Sequence, residues 1–412
     1  MRTIGRRAFL QGAAGAAALA AIQPPAYAEY STLRDQVFYL AGSKYLQSYN
    51  RLISKTAYPS LTPVPYGAWS TTGASAWTSG FYPGCWWLFL DWSAWAPDKT
   101  RAQAWEAGIA GQRYNNTTHD LGFMIYDSFD QDFRLTGNPT ARTYCLQAAA
   151  TLATRYNPIV GCIRSWDSIN DTTQFRVIID NMLNLELLLW GSKQPGGSST
   201  WKTMAISHAT KTLNNHVRSD GTTFHVVNYD QKTGAVISKY TVQGYSNSST
   251  WSRGQAWALY GFSIVYRETR NSTFLTAARR TADAFLRLLH FDLTGKSSPD
   301  PIPYWDFSAP ATLASTLADK DSSAGAIGAS GLLELSKWET DSARKVVYAN
   351  AAAAILTKLA TSSYIAAASQ GEALLMHGTS NRPGKSYNTG LIYGDYFMLE
   401  AVLKLSRLPS LV

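Results

Sequence analysis

Apolar residues recur along this chain at three- and four-residue spacing, in segment after segment, with turn signals between the segments. The period predicts helices near 30–54, 79–94, 98–113, 121–136, 139–156 and 173–192. Six more are predicted near 198–216, 249–269, 272–291, 320–338, 342–362 and 389–407. Only 221–243 reads as extended, with alternation through Thr223-Phe224-His225-Val226-Val227 and a turn at Lys232-Thr233-Gly234. The expected fold is therefore all-α, with one small β-hairpin inserted between helices.

Alternate helices differ in pattern. The even-numbered ones carry Trp86-Trp87, Asn181-Met182-Leu183-Asn184-Leu185, Trp257-Ala258-Leu259-Tyr260-Gly261-Phe262 and Ala324-Gly325-Ala326-Ile327-Gly328. These stretches are apolar around the whole circumference, which predicts burial on every side. The odd-numbered helices keep a charged face, as in Arg279-Arg280-Thr281-Ala282-Asp283. Such alternation predicts helical pairs closed into a toroid, with even helices inside and odd helices outside. No composition break or linker divides residues 29–412, so one domain is expected. A closed toroid has no unpaired edge, so a monomer is expected too.

Residues 1–28 do not fit that pattern. Arg6-Arg7-Ala8-Phe9-Leu10 is a twin-arginine pair before an apolar dipeptide, a small-residue run follows from Ala13 to Ile22, and Ala26-Tyr27-Ala28 reads as a cleavage site. The expectation is a bacterial export signal, with Glu29 as the new N-terminus and the folded protein delivered to the periplasm or the exterior. The run is too short and too rich in Ala and Gly for a membrane span.

Loss of Arg2, Arg6 and Arg7 takes the formal charge from +9 to +6. With no Lys/Arg-rich block or RNA-binding motif, that mild excess argues against nucleic acid and is compatible with an anionic substrate. The 3 cysteines are too few for a disulfide framework or a zinc site, and the 6 histidines have no metal-ligand spacing. Asp127-Ser128-Phe129-Asp130-Gln131-Asp132 lacks the glycine and the terminal glutamate of a calcium loop and reads as a solvated helix face. The 14 Trp and 23 Tyr exceed what packing usually requires, and such rings suit sugars.

Candidate chemistry falls at the N-terminal ends of the inner helices. Asp120 stands at a helix start, where aspartate commonly caps backbone N–H groups. Asp180 stands inside an apolar run, where a carboxylate is costly unless paired or functional; burial would raise its pKa and suit it to proton donation. The two are one helical pair apart, so they can face one pocket. Trp251, Arg253 and Trp257 lie within two helical turns. Arg253 there is either a carboxylate clamp or half of a structural ion pair.

Taken in order, these stretches resemble glycoside hydrolase family 88, the unsaturated glucuronyl hydrolases. The resemblance runs through Trp77-Thr78-Ser79-Gly80-Phe81-Tyr82-Pro83-Gly84, His119-Asp120-Leu121-Gly122-Phe123 and Ile163-Arg164-Ser165-Trp166-Asp167. It continues through Ile179-Asp180-Asn181-Met182-Leu183-Asn184-Leu185, Gln243-Gly244-Tyr245-Ser246 and Trp251-Ser252-Arg253-Gly254-Gln255-Ala256-Trp257. Asp321-Ser322-Ser323-Ala324 and Ile392-Tyr393-Gly394-Asp395-Tyr396-Phe397 complete it.

The resemblance implies an (α/α)6 barrel that hydrates the C4=C5 bond of an unsaturated uronate at the non-reducing end of lyase-generated oligosaccharides. By resemblance, Asp180 is the proton donor and Asp120 the second catalytic carboxylate. His225, Gln243, Trp251 and Arg253 contact substrate, and Trp77, Phe81 and Trp257 form an aromatic wall. Tyr393 is a candidate for the uronate carboxylate or its surroundings. No metal or organic cofactor is implied. The residues by themselves leave room for an inverting glycosidase, a uronate lyase or a non-catalytic carbohydrate-binding protein on the same toroid. The parent polysaccharide stays open; Thr379-Ser380-Asn381-Arg382-Pro383-Gly384-Lys385 could meet a sulfate on the next sugar.

Overall fold

The computed structural model describes residues 27–63, 66–292, 294–295 and 299–408. The export signal expected over 1–28 lies outside them, except for Tyr27 and Ala28, which open the first helix.

Twelve α-helices are present among the described residues. The outer ones are α1 (Tyr27–Arg51), α3 (Ala96–Ile109), α5 (Pro139–Ala153), α7 (Ser199–Asn215), α9 (Ser272–Leu288) and α11 (Ser342–Leu359). The inner ones are α2 (Phe81–Ser93), α4 (Asp127–Thr136), α6 (Asn181–Gly191), α8 (Ser252–Thr269), α10 (Ser322–Trp338) and α12 (Ile392–Ser406). Each inner helix packs on the next, α6 meeting the π-helical turn Gly122–Tyr126 ahead of α4, and α12 returns to α2, so the ring closes as the apolar pattern predicts. The inner stretches Trp86-Trp87, Leu187-Leu188-Leu189 and Ala256–Phe262 are buried throughout.

The two ends of the barrel differ. At one end five of the inner helices, α2, α4, α6, α8 and α10, pass to the next outer helix through a short turn, such as Gly137-Asn138 or Arg270-Asn271. There Asn138, Ser198, Asn271 and Asp341 cap α5, α7, α9 and α11 with their side chains. At the other end the connections are long and carry all the strands: β1 (Tyr58–Leu61) with β2 (Ser70–Thr72), β3 (Tyr156–Asn157) with β4 (Cys162–Ile163), β5 (Arg176–Ile178) with β6 (Val226–Tyr229) and β7 (Val236–Tyr240), and β8 (Gly378–Asn381) with β9 (Ser386–Thr389). Of the six inner helices starting here, only α10 has a side-chain N-cap, from Asp321.

The predicted hairpin is present but not alone. Residues 176–178, expected to begin a helix, form β5, which pairs antiparallel with β6 in the register Val177↔Val227. The β-branched run Val177-Ile178-Ile179 suits a strand buried on both faces, and the apolar content that looked helical is strand until Asp180. The stretch 127–132, expected to be a solvated face, turns inward at several positions. Asp132 is fully buried and accepts hydrogen bonds from Thr136 and Asn138. Asp127 is pushed well above the usual carboxylate range by burial and by the facing Glu400, Glu186 and Asp130. Among the described residues no group of carboxylates, histidines and cysteines could hold a metal ion.

The predicted helix 121–136 contains a π-helical turn over Gly122–Tyr126 before α4. Asn184 of α6 reaches across to accept the Phe123 N–H at 3.2 Å. The close approach requires glycine: a Cβ on Gly122 would meet Asn184 Oδ1 at 2.6 Å and Asn184 Cα at 2.9 Å. Gly122→Ala should therefore destabilise the barrel by about 1–3 kcal/mol. A lowered midpoint in urea unfolding measures it; an unchanged midpoint would show that the π-turn yields freely.

Candidate active site

Asp180 enters the site from the end of β5. It is the N-cap of α6 by position, yet its side chain makes no capping bond, and its Oδ1 is buried without a hydrogen-bond partner. Burial raises its pKa to about 6, against the lowering charges of His119 and Arg253; the Asp120 charge adds to the rise. An acid of this kind holds its proton at mildly acidic pH.

Asp120 lies on the loop before the π-turn and does not cap a helix. Its carboxylate meets His119 Nε2 at 3.2 Å and accepts from the Thr118 hydroxyl. Burial works to raise its pKa, but the facing His119 and the hydrogen bonds from His119 and Thr118 outweigh it and hold the group below the ordinary value. Two facing carboxyls thus have opposed environments, one held below the ordinary carboxylate range and one raised above it.

His225, just ahead of β6, stacks on Trp251 with ring centroids 4.3 Å apart. Its Nδ1 accepts the Val242 N–H at 3.2 Å, which assigns the ring proton to Nε2. Nε2 is buried with no partner, as are Nε1 of Trp251 and Nε1 of Trp257. Burial, helped by the Arg253 charge, lowers the His225 pKa to about 3, so the imidazole is a neutral donor. Trp251 folds back over Gly254, where a Cβ would lie 2.8 Å from the indole. Gln243 donates to the Ser380 carbonyl at 2.8 Å and so ties this side to β8.

Arg253, one of the most enclosed side chains in the protein, pairs with Asp321 at 2.7 Å. It also donates to the carbonyls of Thr379 and Ser380. Its guanidinium lies 4.5 Å from the Trp251 ring and 5.3 Å from the Tyr393 ring. Both roles considered for it from sequence therefore bear on one residue: it is an ion-pair partner, and it borders the site. Its fork is not free for a bidentate carboxylate clamp.

Aromatic rings line the axis below. Trp77 packs against Tyr393 at 4.9 Å and Phe123 at 5.7 Å, and Phe123 against Trp257 at 5.3 Å. Phe81 meets Trp77, Phe123, Tyr393, Tyr396 and Phe397 and has no solvent exposure. It backs the wall and does not form its surface, because the neighbouring rings close over it.

No protein-family profile matches the chain. Whole-chain relatives do. An unsaturated glucuronyl hydrolase of Formosa agariphila is 38% identical over 335 residues, covering 81% of this chain and 80% of that protein. An unsaturated chondroitin disaccharide hydrolase of Streptococcus pyogenes is 32% identical over 80% of each chain. The crystal structure of the unsaturated glucuronyl hydrolase from Bacillus sp. GL1, responsible for the degradation of glycosaminoglycan, superposes with a TM-score of 0.82 at 30% identity, over 91% of this chain and 97% of that one. The chain belongs to the unsaturated glucuronyl hydrolases.

Glycoside hydrolase family 88 is thus the right frame for the site, and the (α/α)6 barrel is its fold. All ten residues singled out from sequence gather at the strand-bearing end of this hydrolase barrel. Four neighbours were not singled out. Asp321, His119 and Phe123 stood only within the stretches that carry the resemblance, and Thr118 was given no part. The adjacency of His119 to Asp120 in sequence was a usable signal. The pairing of Arg253 with Asp321 spans 68 residues and left none.

Across roughly pH 5 to 8, 15N spectra should show His225 neutral with its proton on Nε2. Protonation of the ring in mid-range would contradict the tautomer that Val242 imposes.

Proposed function

We propose that this hydrolase releases a 4,5-unsaturated uronic acid from the non-reducing end of lyase-generated glycosaminoglycan oligosaccharides, with Asp180 as the proton donor. The observation that carries this reading is the buried, unpartnered Asp180 oxygen facing Asp120, whose carboxylate His119 and Thr118 hold ionised. A buried polar group without a partner costs free energy, so the Asp180 oxygen marks where a polar ligand completes it. Neutral Asp180 gives its proton to C4 as water adds to C5, and the reformed carboxylate takes the proton that the water loses. The product is a hemiketal; its collapse opens the ring and frees the next sugar. Ionised Asp120 disfavours a second negative charge at Asp180 and so helps to keep the donor protonated. The reaction needs no redox or group-transfer partner.

The test is the ultraviolet absorbance of the conjugated C4=C5 carboxylate in a panel of unsaturated disaccharides from chondroitin, hyaluronan, heparin and gellan-type polymers. Wild-type enzyme should consume the chromophore. Asp180→Asn should lower kcat by about 100- to 10,000-fold. Because the donor must carry its proton, kcat/KM should fall as pH rises through about 6, the value to which burial lifts Asp180. A folded wild-type protein that leaves every member of the panel unchanged would sink the reading.

Residues 1–28 complete the proposal as a twin-arginine export signal, supported by Arg6-Arg7, the Ala13–Ile22 run and Ala26-Tyr27-Ala28. The enzyme then meets its oligosaccharides in the periplasm or outside the cell, as a monomer, since one chain supplies every group named above. Replacing Arg6 and Arg7 by Lys should retain the protein, uncleaved, in the cytoplasmic fraction. Unchanged export of that variant would refute the assignment.

A further inference from the structure

Arg253 has two carboxylates within reach of its charge. Asp321, at the start of α10, is fully buried and takes the ion pair through Oδ2. Its other oxygen, Oδ1, accepts from Ser323 Oγ at 2.5 Å, Thr379 N at 3.3 Å and Ala324 N at 3.4 Å. One aspartate therefore binds α10, strand β8 and the guanidinium of α8 together. Asp180 is the other carboxylate that Arg253 faces. The carbonyls of Thr379 and Ser380 hold the guanidinium on the Asp321 side, and its contact with the Tyr393 ring limits its swing.

We propose that Asp321 is a positioning residue of the reaction: by fixing Arg253 against α10 and β8, it keeps that cation from pairing with Asp180. The inference rests on the role of Asp180 as proton donor. An arginine within ion-pair distance of a carboxylate strongly favours its ionised form. Released from Asp321, Arg253 has Asp180 as its one remaining buried carboxylate partner, and the donor would lose its proton to that pairing. The other groups facing Asp180 are His119 and Asp120, both before the π-turn, and Tyr393 of α12, which also faces Arg253 together with the neutral His225. None of them replaces the charge of Asp321.

The two oxygens of Asp321 allow the roles to be separated. Asp321→Asn can keep the Oδ1 contacts to Ser323, Ala324 and Thr379 while presenting an amide to Arg253 in place of Oδ2. The pH profile of kcat/KM should then show its upper limb moved down by about one unit or more, with activity recovering toward wild type as pH is lowered. A merely structural role predicts an equal loss at every pH, and an unmoved limb in folded Asp321→Asn overturns the proposal. A wild-type enzyme that never consumes the chromophore overturns the proposed function instead. Should Asp321→Asn fail to fold, the double variant Asp321→Asn with Arg253→Gln leaves no buried cation unpaired. Its limb should lie at or above that of wild type, and a limb below it overturns the proposal.

Discussion

Closing six inner helices into a ring while each returns through an outer partner forces every inner helix to start at the same end. That end collects the unsatisfied N–H groups and the positive ends of six helix dipoles around one axis. Five of these helices begin without a side-chain cap. The outer-helix connections arriving there are long and stranded, while those at the opposite end are short. The location of the chemistry follows from this topology: polar groups for an anionic sugar belong where the barrel is already electropositive and where its loops have length to spare.

Within that end, burial makes the decisive distinctions. Two aspartates a helical pair apart differ in fate because one has His119 and Thr118 on it and the other has an unpartnered oxygen. His225 is kept neutral by the same enclosure that raises Asp180. Arg253 stays charged despite its burial because Asp321 pairs with it, and a buried cation without such a partner would cost several kcal/mol. The aromatic rings seen as a sugar platform also exclude water from these groups, which strengthens each electrostatic term.

Helix number, ring alternation and the two carboxylates were legible in the chain because they are periodic or local. Most inner helices carry stretches apolar on every face, such as Trp86-Trp87 and Ala256–Phe262, and Asp180 interrupts an apolar run. What was not legible depends on partners distant in sequence. Val177-Ile178 became a strand because β6, some fifty residues on, lies beside it. Phe81 is closed over by rings from α12 and the π-turn. The tether between Arg253 and Asp321 appears only once α8 and α10 stand side by side.

The ring closes where α12 meets α2. The first inner helix therefore waits, during synthesis, for the last helix among the described residues before its exposed flank is covered. Tyr393, which completes the aromatic wall against Trp77, arrives with that same helix. A nascent chain can stack its earlier pairs but cannot finish the barrel, so completion of the fold and completion of the active site are a single late event in the life of the molecule.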